Sequence, residues 1–272
     1  MLDDLINAAK AQQESTKKGK FIIIAAEPGM GKTALASTFD KPIFIRAEDG
    51  ISSIHLEQMP DYLPVLTPQK GNTILSQLKM QVGAIRKSKQ HKTVVLDTLS
   101  TLNNLIIDCM TLQSDESDFE KIGGGYGKCY NLLAQTHAEV ATGLGRLVED
   151  GFDVVVLCHV KTEMMRTPDL DDYMAYKLAL TDGNKQHSSP HYLQRADLVC
   201  CITSDRSIDK KTNKATGGAG RIIHMSPVGG FSFCKNRDND VNAPSIIPFF
   251  RDNKTGKYIN PFNKSEENNH AN

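Results

Sequence analysis

The stretch Ala26–Thr33, AEPGMGKT, directly follows the apolar run FIIIAA, and this constrains the fold more than anything else in the chain. A tight turn between a buried strand and a helix leaves backbone amides unpaired and aimed at one point, with the positive end of the helix dipole behind them. Gly29 and Gly31 permit a backbone geometry and a close approach that a side chain would block. Lys32 is placed to neutralise β- and γ-phosphates, and the Thr33 hydroxyl to ligate magnesium. Ala26, Glu27, Pro28 and Met30 complete the loop. Alanine stands where the pattern usually begins with glycine, and it is small enough for the position. The stretch predicts binding of a nucleoside triphosphate, read as ATP with Mg2+.

Further strand-sized apolar runs follow at Pro42–Ala47, Thr93–Asp97, Asp153–His159 and Ala196–Thr203, separated by helical patterns at Gly31–Phe39, Ile74–Ile85, Leu99–Leu112 and about Tyr130–Glu149. Strands apolar on both faces and alternating with helices predict an α/β fold, with a mostly parallel sheet covered by helices on both faces. After His159 the pattern weakens. Lys161–Pro190 reads as a long polar loop with a short strand near Tyr176–Leu180. Arg221–Met225 and Phe231–Lys235 read as a C-terminal β-hairpin turning at Ser226–Gly230. The expected organisation is an N-terminal helix (Leu2–Gln13) and basic linker over residues 1–20, a core over 21–251, and a disordered Asn- and Lys-rich tail over 252–272.

Phosphate transfer to water needs a carboxylate that organises the metal and a group that orients or deprotonates the water. Asp97, closing TVVLD, reaches the C-terminal edge of the sheet, where ligands bind in such folds. It also suits a helix N-cap for Leu99–Leu112. Glu48 ends the second strand at the same edge and is the predicted base, with Asp49 its nearest competitor. His159 breaks an apolar strand at its C-terminal end and is the predicted γ-phosphate sensor.

Taken together, AEPGMGKT, FIRAED, TVVLDTLS, DVVVLCH and FCKNRDNDVNAP occur in an order that resembles RecA-type recombinase cores. Within these, the chain is most similar to phage-encoded, single-domain RecA-like P-loop ATPases of the Sak-type annealing group. The resemblance spans about Phe21 to Phe250. It implies that Glu48 is catalytic and that His159 stands where recombinases more often carry glutamine. It also implies that the loop after His159 faces DNA, making Lys161 and Arg166 contacts, and that Lys235 and Arg237 reach a neighbouring subunit's ATP. The implied partners are single-stranded DNA, further copies of the chain in a ring or filament, and a single-stranded DNA-binding protein, all in the cytoplasm of a bacterial host.

Charge tempers the DNA reading. Lysine plus arginine balances aspartate plus glutamate at 32 each, so no whole-surface polycation exists. Lys161–Pro190 is not basic. Lys210, Lys211 and Lys214, around a Gly-rich turn within Arg206–Arg221, form the better electrostatic candidate. Six cysteines without a CxxC pair read as buried reduced thiols. No apolar run is long enough for a membrane span. The expected activity is therefore DNA-stimulated ATP hydrolysis serving annealing or strand pairing. A helicase or helicase-loading motor is the alternative, and a small-molecule kinase, which lacks an Arg-rich lid here, is the third reading.

Overall fold

Every residue of β1 (Phe21–Ala26) is buried. Phe21, Ile23 and Ala25 enter one core cluster, and Ile22, Ile24 and Ala26 enter the other. A strand apolar on both faces fits only inside a sheet covered on both sides, and β1 lies at the centre of one. The computed structural model describes residues 1–7, 18–50, 59–114, 116–168, 170–183, 185–209, 214–237, 246–249 and 259–262.

The strands are β2 (Pro42–Arg46), β3 (Asp61–Tyr62), β4 (Thr93–Asp97), β5 (Asp153–Thr167), β6 (Leu170–Leu178), β7 (Leu198–Asp209), β8 (Lys214–His224), β9 (Lys235–Asn236) and β10 (Ile246–Phe249). They form one sheet in the order β10-β8-β7-β1-β5-β4-β2-β3, parallel from β7 to β3. β8 and β10 extend it antiparallel, and β6 and β9 pair antiparallel with β5 and β7. The helices are α1 (Lys32–Ala36), α2 (Ile74–Ser88), α3 (Leu99–Gln113), α4 (Lys128–Glu149) and α5 (Ser189–Leu193). The larger core cluster packs α2, α3 and α4 on one face through Leu78, Leu102 and Leu144. The other face carries the short α1, with Met225 and Phe262. The mostly parallel α/β architecture with a phosphate loop after its central strand is thus observed, with its helices shared unequally between the faces.

Four features depart from the sequence reading. The expected loop Lys161–Pro190 is largely a β-ribbon, because β5 runs on past His159 to Thr167 and pairs with β6, Met164 opposite Met174. Its cross-strand ion pairs, Lys177–Glu163 at 3.1 Å and Arg166–Asp172 at 3.4 Å, consume the charges that made the segment read as loop. The outer part of the ribbon is largely exposed, and burial on β6 is confined to positions such as Ala175 and Leu178, so the segment shows little apolar alternation. Second, Arg221–His224 pairs with β7 and not with Phe231–Lys235. Phe231 instead closes a 3-10 turn (Gly229–Phe231), its ring stacked on His224 at 3.8 Å and on Tyr176 at 5.4 Å, and the chain then returns as β9 beside Leu198 and Val199. The C-terminal hairpin is therefore β7–β8, and most of Arg206–Arg221 is strand. Third, α1 stops at Ala36, where the Ser37 and Thr38 hydroxyls turn back onto the carbonyls of Ala34 and Leu35. Fourth, within the expected tail, residues 259–262 are described: Asn260 is buried and the Phe262 ring lies 6.1 Å from that of Phe39.

Candidate functional site

β1 delivers Ala26 to the sheet's C-terminal edge, level with His159 on β5 and Ile202 on β7. The next residues turn through Gly29 at φ +77° and Gly31 at φ +87°, left-handed backbone that glycine adopts without strain, and α1 begins at Lys32. Glu27, Pro28 and Gly29 are exposed. Met30 Sδ accepts from Ser204 Oγ at 3.8 Å, and Arg221 donates to the Gly29 carbonyl at 3.4 Å, so β7 and β8 brace the loop from the side.

Lys32 is buried, 5% exposed. Its ammonium donates to the carbonyls of Ala26 and Glu27, each at 3.1 Å, and lies 3.1 Å from His159 Nδ1. These three contacts hold the amine beside the loop. Burial lowers the pKa of Lys32, while Asp97 and Glu48 work to raise it. Burial, and then the adjacent Lys32 charge, lowers that of His159 and favours a neutral imidazole that accepts from Lys32. The His159 backbone N–H donates to Ser100 Oγ at 2.9 Å, and its carbonyl accepts from Ala179 N at 2.8 Å at the root of the β5–β6 ribbon.

Asp97 is 1% exposed. Thr33 Oγ1 donates to its Oδ2 at 3.0 Å, whereas Oδ1 is buried with no hydrogen-bond partner among the described residues. Burial pushes the Asp97 carboxyl up to about 6, against the lowering effect of the Thr33 bond. A Cβ on Gly50 would sit 3.9 Å from Asp97 Oδ2 and 4.0 Å from Thr33 Oγ1, so that backbone borders the pair without entering it. A buried carboxylate with an unused oxygen beside a hydroxyl is a hard-oxygen donor set that fits a magnesium ion, directly or through water.

Glu48 is held beside them. Ala47 N donates to the Asp97 carbonyl at 2.7 Å and Glu48 N at 3.4 Å, while Thr101 Oγ1 donates to Glu48 Oε2 at 2.6 Å. Glu48 acts electrostatically on Lys32, Asp97 and His159 alike, which puts all four in one charge cluster. Asp49, its competitor, is exposed and paired with Arg46 at 2.9 Å. The N-cap of α3 is Thr98 and not Asp97, its hydroxyl accepting from Thr101 N.

The remaining predicted residues lie elsewhere. Lys235 Nζ donates to the Leu193 carbonyl, and Arg237 to the Gln194 carbonyl at 3.1 Å. β9 pairs with β7 at Val199, which lies level with Ile23 and so about 10 Å of strand away from Ala26, on the side remote from the phosphate loop. Lys161 donates to the Leu180 carbonyl at 2.7 Å at the ribbon's root, and Arg166 lies exposed near its tip. Lys214 opens β8, and Lys210 and Lys211 fall outside the described residues.

Sequence reasoning missed Ser100, Thr101, Gly50 and Arg221. It also assigned nothing to Gly123–Gly127, where four glycines and Tyr126 all take positive φ and the Tyr126 ring is fully exposed. That loop leads into α4 between the exposed Lys121 and Lys128, and borders a 540 Å3 cleft shared with Asp182, Lys185 and Gln186. The GGGYG string itself was the available signal. All six cysteines are free and buried. Among the described residues, no helix is long and apolar enough to cross a membrane.

A phosphate loop at the centre of a mostly parallel sheet, with a hydroxyl–carboxylate pair on one side and a held glutamate beyond it, defines a P-loop nucleotide-binding domain. The chain belongs to the AAA_24 family of AAA domains, whose model matches residues 18–228. No curated protein matches it in sequence. Among solved structures it is similar to a DnaB-like replicative helicase studied with its interactions with primase, at 15% identity and a TM-score of 0.45, covering 90% of this chain and 57% of that one. It is also similar to a KaiC-like protein from the hyperthermophilic archaeon Pyrococcus horikoshii, at 12% identity and a TM-score of 0.45, covering 86% and 87%.

Proposed function

We propose that this protein hydrolyses ATP at Lys32, Thr33, Asp97, Glu48 and His159, binds single-stranded DNA, and promotes annealing or strand pairing in phage recombination. The observation that carries the hydrolytic part is the convergence of a buried cation, a hydroxyl–carboxylate pair and a hydrogen-bonded glutamate at one sheet edge. Magnesium held by Thr33 and Asp97 would draw charge from the β- and γ-phosphates and fix their orientation. The amides of Gly29–Thr33 bind the phosphates, and Lys32 exchanges its carbonyl contacts for phosphate oxygens. Glu48 accepts a proton from the attacking water at Oε1, the oxygen not engaged by Thr101. His159 senses the γ-phosphate through the contact it makes with Lys32.

For DNA, the reading rests on two elements near the same edge of the sheet, the β5–β6 ribbon and the Gly123–Gly127 loop. Tyr126 offers an exposed ring for base stacking, with Lys121 and Lys128 beside it for phosphates. Arg166, Lys210, Lys211 and Lys214 are additional contacts. Lys235 and Arg237 act on a neighbour's ATP in a ring or filament, a geometry that their distance from their own phosphate loop favours. Such an assembly adds up weak contacts along a strand. A single-stranded DNA-binding protein is a further partner, and the bacterial cytoplasm the setting.

The test is the rate of magnesium-dependent ATP hydrolysis with and without single-stranded DNA, with negative-stain imaging of the assemblies. The expected result is hydrolysis that DNA accelerates, together with rings or filaments. ATP turnover that ignores DNA, with no DNA binding, would sink the recombination reading, and turnover only with a small-molecule acceptor would favour a kinase.

A further inference from the structure

The glutamate held at the site is gripped by a side chain that no motif predicts. Thr101 lies on the first turn of α3, and its hydroxyl donates to Glu48 Oε2 at 2.6 Å, a charge-assisted length. A hydroxyl has a single hydrogen, so the 3.0 Å contact between Thr101 Oγ1 and Thr98 Oγ1 must run the other way, with Thr98 donating. Thr98 in turn accepts from Thr101 N at 3.3 Å. The ionised carboxylate cannot donate, so it polarises the whole chain: Thr98 O–H to Thr101 O–H to Glu48 Oε2. The glutamate is then fixed at two points, its backbone on the Asp97 carbonyl and one carboxylate oxygen on Thr101. Oε1 makes no protein hydrogen bond among the described residues.

We infer that Thr101 is a positioning residue, which locks the Glu48 carboxylate through Oε2 so that Oε1 faces the attacking water. The inference rests on the hydrolytic role of Glu48. A glutamate side chain has three rotatable bonds, and freezing them in one geometry before the water arrives is where such a contact lowers the barrier. Ser100, one residue earlier on the same turn, takes the backbone N–H of His159. A single helical turn thus fixes both the base and the sensor. A purely structural role for Thr101, as part of the α3 cap, is the competing account, and it places no demand on kcat.

The experiment measures kcat and KM of magnesium-dependent ATP hydrolysis for the wild type, Thr101→Val, Thr101→Ser, Glu48→Gln and the Glu48→Gln/Thr101→Val double variant. Thr101→Val is expected to lower kcat about 10- to 100-fold with KM for ATP nearly unchanged. Thr101→Ser restores most of the rate. In the Glu48→Gln background the same change has no further effect, because Thr101 acts only through that glutamate. Wild-type kcat in Thr101→Val, with Glu48→Gln inactive, overturns the positioning role and leaves the hydrolytic reading standing. Wild-type turnover in Glu48→Gln overturns both. Should Thr101→Val fail to fold, as judged by its unfolding midpoint, Thr101→Ala is read in the same way.

Discussion

At the scale of single residues, the site is built from groups whose burial is unfavourable without a ligand. Asp97 has a carboxyl raised from 3.8 to about 6 by burial. In the folded protein its ionised form is therefore penalised, by about 3 kcal/mol above pH 6 and progressively less down to pH 4. Asp97→Asn should stabilise the nucleotide-free protein at pH 7.5 by about 1–3 kcal/mol, the upper end being set by that penalty. It should also abolish magnesium-dependent hydrolysis. Denaturant unfolding checks the first part, and a destabilised Asp97→Asn would refute it. His137 has the opposite sign. Fully buried between Tyr192 Oη at 2.8 Å and Asn103 Oδ1 at 3.2 Å, its pKa is lowered to about 3, chiefly by burial. The unfolded chain takes up that proton first, so this contribution is intact above about pH 6.5 and is lost as pH falls towards 3. Between pH 6 and 4 the two groups oppose each other. Stability of the wild type should be nearly flat there, His137→Gln should gain stability on acidification, and Asp97→Asn should lose it.

At the scale of elements, legibility follows the range of the interactions that make each element. β1 and the phosphate loop were readable because an unbroken apolar run and glycine geometry are written in consecutive residues. Asp97, Glu48 and His159 were readable because each closes or directly follows an apolar run in a strand, and parallel strands place the ends of those runs on one edge. The β5–β6 ribbon was not, since its stability lies in cross-strand pairs such as Glu163–Lys177 that no local pattern shows. Thr101 escaped for a similar reason: a threonine on a helix reads as ordinary until Glu48 arrives from another strand. The Gly123–Gly127 loop was visible as a string but silent about purpose. Its test is binding of fluorescent oligo-dT by anisotropy. Tyr126→Ala should weaken binding by about 1–3 kcal/mol, as the loss of one stacked base does, and leave ATP binding unchanged. Unaltered DNA affinity would assign the exposed ring another task.

At the scale of the molecule, the chain presents a phosphate loop on one edge of its sheet and two basic residues, Lys235 and Arg237, towards the other. Copies stacked head to tail would bring the second against the first, and heterologous contacts of that kind close into rings or extend as filaments. Mixing Glu48→Ala with Lys235→Ala, each inactive alone, should then restore part of the hydrolysis, because some interfaces combine an intact Glu48 with an intact Lys235. No recovery at any mixing ratio would leave Lys235 to its contact with the Leu193 carbonyl. The account as a whole turns on the glutamate beside the loop. The most direct measurement is single-turnover ATP hydrolysis by Glu48→Gln, with ATP affinity determined on the same sample. The predicted result is affinity within a few-fold of the wild type and hydrolysis slowed by about 10²- to 10⁴-fold. Hydrolysis at the wild-type rate would contradict it.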